Sequence, residues 1–202
     1  MLNFFMGEYI EDYSKLEKIV KELREKGKKV VLAGGCFDIV HPGHKYFFEQ
    51  AKKYGDILMI NVANDKKVRE YKGETRPIQP QEYRAQIISA FGVVDYVTVH
   101  PSLNCPTTEL AVFIKPHFFI KERGMLTKEE LKKLKIILGD KIKLRTINKE
   151  SYKMSTTEIM SNYVKKLYLS LNNLKKRNQL KYLKKFLPYL HDSHNNPPVT
   201  DL

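Results

Sequence analysis

The chain reads as an α/β protein with a doubly wound, parallel, five-stranded sheet and a basic helical extension at its carboxyl end. Three observations predict this. Short apolar runs alternate with segments of helical periodicity, the pattern of strands joined by crossover helices. One run, Ile57 to Ala63, is apolar except for Asn61, as expected of a parallel strand covered on both faces. A glycine-containing turn at Gly34-Gly35 links a strand to a helix start, the junction at which α/β sheets receive anions.

Taken in order, residues 1–11 read as a leader, loose over its first eight residues, with Met6 as a second candidate start. From Asp12, a cap candidate, Tyr13, Leu16, Ile19, Val20 and Leu23 recur at helical spacing, and Gly27 ends the run. Val30-Val31-Leu32 is the first strand, and Tyr46, Phe47, Phe48 and Ala51 mark the helix after the turn, ended by Gly55. Ile57 to Ala63 is the second strand, followed by a basic loop holding Asn64-Asp65, Lys67, Arg69, Lys72-Gly73 and Arg76-Pro77. Gln81 to Phe91 reads as a helix and Val93 to Val99 as the third strand. A short helix at Pro106 to Val112, a strand at His117 to Lys121, a charged helix at Lys128 to Leu138 and a fifth strand at Lys141 to Arg145 complete the alternation. Right-handed crossovers then make the sheet parallel. Ser155 with Glu158 fits a capping box, so a last helix begins there.

Chemistry concentrates in Gly34-Gly35-Cys36-Phe37-Asp38-Ile39-Val40-His41-Pro42-Gly43-His44. Gly34 and Gly35 allow backbone to approach a ligand closely, and Pro42 suits the first turn of a helix. His41 and His44, three apart at a helix start, share a face and both can donate to phosphate oxygens. The basic loop after the second strand lies at the carboxyl edge of the sheet, where open α/β sheets bind ligands. Ser155-Thr156-Thr157 offers hydroxyls and a second helix start to an anion.

The pattern G-x-F-D-x-x-H-x-G-H, Gly35 to His44, resembles the signature of the cytidylyltransferase-like nucleotidyltransferases, distant relatives of class I aminoacyl-tRNA synthetases. The resemblance implies a Rossmann-like fold and transfer of a nucleoside monophosphate to a phosphorylated acceptor. It implies catalytic roles for His41, His44 and Lys72, and nucleotide contacts from Gly35, Cys36, Phe37, Gly43, Asp65, Lys121, Ser155, Thr156 and Thr157. Arg76 and Arg84 are its candidates for phosphate or acceptor. Arg84 has two readings, a phosphate contact or a pairing with Asp95 that holds its helix on the sheet. Mg²⁺ would travel with the triphosphate rather than on a protein metal site, and a homodimer is the implied assembly.

Gly-Gly-Cys-Phe-Asp, Lys72-Gly73, Arg76-Pro77-Ile78 and the Pro80 to Arg84 run together resemble most the adenylyltransferases acting on heptose 1-phosphate, over about residues 12–160. Cytidylyltransferases acting on glycerol 3-phosphate or ethanolamine phosphate share the two signatures and are the alternative. Lys121-Glu122-Arg123-Gly124-Met125 stands where the heptose group has Lys-Gly-Gly-Asp-Tyr, and the Asn148 to Met154 loop is longer and more basic. Both departures fall near the expected base and acceptor positions and leave those identities open.

Composition bounds the remaining classes. The 202 residues suit one α/β domain with an appendage and are too few for a synthetase with a tRNA-reading domain. Two cysteines, Cys36 and Cys105, make no disulfide framework and point to a reducing cytoplasm. No run approaches a membrane span, and the first residues lack a signal-peptide pattern. Of the net charge of +13, residues 161–202 carry +6 and residues 1–160 carry +7. A basic body concentrates anionic substrates. The domain is expected at 12–160, a basic helical extension at 161–191, and a disordered tail at 192–202 with Asn195-Asn196-Pro197-Pro198. Leu180, Leu183, Leu187 and Leu190 among lysines suit packing on the domain or a second subunit, with an anionic membrane as the rarer use. A non-catalytic nucleotide- or RNA-binding module is the rival class; the intact His41, His44 and Ser155 favour chemistry over it.

Overall fold

A computed structural model describes residues 6–12, 15–101, 106–148 and 155–176. Cys105, the predicted loop from residue 149 to Met154, and the leucine repeat and tail beyond residue 176 lie outside the described residues. The chain divides into two compact units, residues 1–156 and 157–202.

In the first unit the order is β1 (Glu8–Ile10), α1 (Lys15–Glu25), β2 (Val30–Gly35), α2 (Pro42–Lys52), β3 (Ile57–Ala63), α3 (Asp65–Lys72), α4 (Gln81–Ser89), β4 (Tyr96–His100), α5 (Pro106–Ile114), β5 (Phe118–Glu122), α6 (Lys128–Leu138) and β6 (Lys143–Ile147). The sheet is ordered β1-β4-β3-β2-β5-β6, and every pairing is parallel. It has six strands rather than the expected five. The additional strand, β1, lies within the segment read as a leader and pairs with β4 through Glu8↔Tyr96 to Ile10↔Thr98. Three residues are too few for a strand periodicity to register. Pairing with β4 covers that strand's outer edge and supplies the partner its backbone needs.

Because successive strand residues face opposite ways, β2 and β3 feed two cores. Val31, Ala33, Leu58 and Ile60 pack with Phe48 of α2 and Ile88 of α4. Val30, Leu32 and Met59 pack on the other face with Leu16 of α1, Leu110 of α5 and Leu134 of α6. Each such side chain contributes about 1.5–3 kcal/mol when fully buried. The crossing of the chain from one face to the other between β2 and β5 opens a crevice at the carboxyl edge, the topological switch point of a doubly wound sheet.

The segment after β3, read as a basic loop, begins as a helix. Asn64 caps α3 by accepting from the Lys67 N–H at 2.8 Å, while Val68 is its one fully buried apolar side chain. Gly73 ends it with φ +95°, its N–H reaching the Arg69 carbonyl at 2.8 Å. A left-handed residue is needed directly after Lys72, which accounts for the Lys72-Gly73 pair.

The second unit is described through α7 (Thr156–Lys176), one helix of 21 residues whose first residue belongs to the first unit. Its Tyr163, Val164, Leu167 and Tyr168 are exposed. Among the described residues no helix is long and apolar enough to cross a membrane.

Candidate functional site

β2 delivers Gly34 and Gly35 to the carboxyl edge of the sheet, and the chain turns through residues 36–40 into α2. His41 is the N-cap of α2, in extended backbone, and its Nδ1 accepts the Gly43 N–H at 3.1 Å. That bond places the proton of the neutral ring on Nε2. His44 lies one turn on, its ring stacked on His41 with centroids 3.8 Å apart and planes at 24°. Phe37, at φ +48°, turns its ring edge-on to His44 at 5.2 Å and to Phe48 at 5.2 Å. Three stacked or edge-on rings thereby fix both imidazoles at the first turn of α2.

The two glycines also serve packing. A Cβ on Gly34 would lie 2.6 Å from Thr107 Cγ2 and 2.9 Å from the Asn61 carbonyl oxygen. A Cβ on Gly35 would meet the Phe37 ring at 3.0 Å. Asn61, the polar intruder in an apolar strand, joins three elements: its Nδ2 donates to Thr107 Oγ1 at 3.0 Å, and its Oδ1 accepts the His100 N–H at 3.1 Å. The polar break in an otherwise apolar run was its signal.

Two residues hold the crevice in shape. Asp38, 2 % exposed, accepts from Arg76 Nε, from the Ile78 N–H at 2.7 Å and from the Gln79 N–H at 3.1 Å. The Arg76–Pro77 bond is cis. Arg76 is therefore tied through its Nε to the turn of the first motif. Arg84, fully buried, donates to the carbonyls of Gln79 at 2.9 Å, Ala63 at 2.8 Å and Cys36, and to Asp65 Oδ1 at 2.6 Å. The expected Arg84–Asp95 pairing does not form: Asp95 takes Lys52 and the Leu58 N–H, and Asp65 takes the arginine. A buried guanidinium satisfied on four acceptors is a positioning group. Sequence reasoning missed Asp38 as an anchor, although it stood inside the motif.

Charge gathers around Cys36. Burial pushes its thiol above the ordinary value, while Lys72 and Arg84 act against that shift, Asp38 adds to it, and Arg76 opposes it. Arg84 is paired with Asp65 and Arg76 with Asp38, and Lys72 adds positive charge that favours phosphate at this mouth. Lys72, the last residue of α3, is exposed, and Lys121 stands at the carboxyl end of β5 with its ammonium over the Phe119 ring at 5.1 Å. Asp65 opens α3 and is engaged with Arg84. Thr156 Oγ1 donates to the Ile39 carbonyl at 3.4 Å, which brings Ser155 and Thr156 to the first motif. Thr157 begins the second unit. Among the described residues no three His, Cys, Asp or Glu side chains come together as a metal cage.

The cytidylyltransferase-like family profile matches residues 32–162. Among curated relatives, the bifunctional protein HldE of Nitratiruptor sp. is 40 % identical over 114 residues, covering 56 % of this chain and 24 % of the relative. That of Wolinella succinogenes is 45 % identical over 106 residues, covering 52 % and 22 %. The matched region thus spans about a quarter of those relatives' length. Among solved structures, the lipopolysaccharide core biosynthesis protein from Thermoplasma volcanium has a TM-score of 0.52 at 29 % identity, over 60 % of this chain and 97 % of that one. The pantoate-beta-alanine ligase from Francisella tularensis has a TM-score of 0.55 at 14 % identity over 76 % of each, a likeness of fold.

Proposed function

We propose, from the premise that the chain belongs to the cytidylyltransferase-like family, that it transfers a nucleoside monophosphate from a nucleoside triphosphate to a small phosphorylated acceptor. The observation that carries this is the stacked His41–His44 pair at the first turn of α2. In the reaction an anionic phosphate oxygen of the acceptor attacks the α-phosphorus. The bond from that phosphorus to the bridging oxygen breaks, and pyrophosphate leaves with the electron pair. The attacking oxygen is already ionised, so no protein nucleophile is required. The chain's work is alignment and neutralisation of charge. His41 and His44 donate to oxygens of the α-phosphate as charge redistributes, and Lys72, Arg76, Ser155 and Thr156 hold the outgoing phosphates. Gly35, Cys36, Phe37, Gly43, Asp65 and Lys121 form the nucleotide's surroundings in this reading. A Mg²⁺ brought in with the triphosphate would supply further charge neutralisation.

The finer reading is adenylyl transfer to a sugar phosphate such as heptose 1-phosphate, in the cytoplasm and by a homodimer. It is supported by the Lys72-Gly73, Arg76-Pro77-Ile78 and Pro80 to Arg84 segments and by the relatives that match at 39–45 % identity. The Lys121 to Met125 segment, which departs from the heptose pattern, keeps a CTP-dependent alcohol-phosphate cytidylyltransferase as the second reading. Calorimetric titration with ATP and with CTP, each with Mg²⁺, decides between them. Saturable binding of ATP alone is expected; binding of CTP alone overturns the adenylyl assignment, and binding of neither overturns the function.

A further inference from the structure

α7 carries its apolar residues at coiled-coil spacing. Met160, Val164 and Leu167 follow one another at steps of four and three, and the sequence of the same helix repeats those steps at Leu171 and Leu174. Alternating steps of four and three keep one narrow stripe turned toward a second helix along its length. In heptad terms Val164 takes position a, and Met160 and Leu167 take position d. Tyr163 and Tyr168 then fall at g and e, on the two flanks of the stripe. Tyr163, Val164, Leu167 and Tyr168 are each more than half exposed. Of the exposed large apolar residues described in α7, only Leu169 falls outside the stripe, at f. All four lie beyond residue 162, where the match to the family ends.

Charge decides what can cover this stripe. From Ile159 to His191 the sequence holds no Asp or Glu, so the helix offers a partner no acidic flank. Lys165 and Lys166 take positions b and c, on the side away from the stripe, where two copies of the helix do not bring them together. The flanks carry Ser161, Tyr163, Tyr168 and Ser170. An anionic membrane is met best by lysines along the edges of an apolar stripe, from which they reach the headgroups. Here the edges are aromatic and hydroxylic, as suits a second protein helix.

That helix is the same one in another copy. A β-branched residue at a with leucine at d favours two parallel strands. In a parallel pair a g residue faces the e residue of the next heptad in the other helix. Tyr163 and Tyr168 stand at that separation, so they meet across the seam on both of its sides. Four tyrosines bury about 150–250 Å² each. With Val164 and Leu167 of both copies, the contact approaches the ~1,200 Å² at which stable interfaces begin. We propose that the Val164–Leu167 stripe of α7 binds the same stripe of a second copy of this chain as a parallel two-stranded coiled coil. The contact lies in the second unit and does not rest on the nucleotidyl-transfer reading.

The test is sedimentation of the full chain across micromolar concentrations, with no nucleotide present. The chain sediments as a dimer, and the double variant Val164→Asn, Leu167→Asn raises its dissociation constant about tenfold or more. A second measurement reads the register without weakening the stripe. Under mild oxidation Leu167→Cys, on the seam, cross-links two copies through a disulfide, whereas Leu169→Cys, off the seam, stays at the background set by the wild-type cysteines. A chain that is monomeric throughout, a dimer as tight in the double variant as in wild type, or equal cross-linking at 167 and 169 overturns the proposal. A monomeric chain that pellets with phosphatidylserine vesicles, and does so no longer in the double variant, would assign the stripe to a membrane surface instead. A failure of nucleotide binding would count against nucleotidyl transfer and leave this result standing.

Discussion

At the scale of single residues, the site depends on a few buried charges whose partners are distant in sequence. Asp38 compensates Arg76 and accepts two backbone N–H groups from the following loop. Replacing Asp38 with Ala strands a guanidinium that is 10 % exposed and two donors at once. Breaking such a pair costs about 3–5 kcal/mol. Asp38→Asn keeps an acceptor for the N–H groups and loses only the charge, so chemical denaturation should rank the variants wild type, Asn, Ala in falling stability. Equal stability of all three would show that Asp38 does not anchor the loop. His41 and His44 were legible in the sequence because three-residue spacing at a helix start fixes a shared face whatever the tertiary structure. The partners of Arg84 were not. Asp65 follows β3 at the carboxyl edge, where Arg84 meets it, whereas Asp95 precedes β4 at the amino edge, where Lys52 and the Leu58 N–H engage it.

At the scale of elements, the apolar runs of β2, β3, β4 and β5 and the periodic helices announced themselves, since burial on a parallel sheet demands them. β1 is three residues long and α3 buries little apolar side chain, so neither carries enough pattern to be seen. The packing role of Gly34 was not legible for a related reason: a sequence shows that a side chain is absent, while only the packing shows what fills its place. Here Thr107 fills it, held by Asn61. Gly34→Ala should destabilise the fold by about 1–3 kcal/mol through overpacking between β2 and α5. The companion Thr107→Ala removes both crowded γ atoms, of which Oγ1 is the nearer, and should restore part of that loss, as urea unfolding of the single and double variants would reveal. Additive effects would mean the two residues do not meet.

At the scale of the whole molecule, the sheet presents a positively charged carboxyl edge and is stabilised by groups that resist protonation. Burial holds His100 and His117 below the ordinary histidine range; Arg24 and Lys29 add to the effect at His117. His117 Nδ1 also accepts the Val30 N–H at 3.1 Å, a bond that protonation destroys. The unfolded chain takes up these protons as pH falls through about 6.5, whereas the folded chain does so only at lower pH. Their contribution is complete above that value and is lost progressively below it. Thermal melts at about pH 5.5 and 7.5 should show lower stability at the acid value, with a smaller difference in His117→Gln. An unchanged difference would remove His117 from the account. Fold and family were readable because one motif combines a strand end, a turn and a helix start. Base and acceptor were not, since they depend on which side chains of separate loops meet over the crevice. The central claim is that the His41–His44 pair stabilises transfer at the α-phosphorus. Its most direct test is pyrophosphate release from Mg²⁺-ATP in the presence of heptose 1-phosphate, with calorimetry of the same nucleotide, for wild type and His44→Ala. A loss of turnover of about 10²–10³ with nucleotide affinity nearly unchanged is predicted. Equal losses in turnover and affinity, or full turnover without His44, would contradict it.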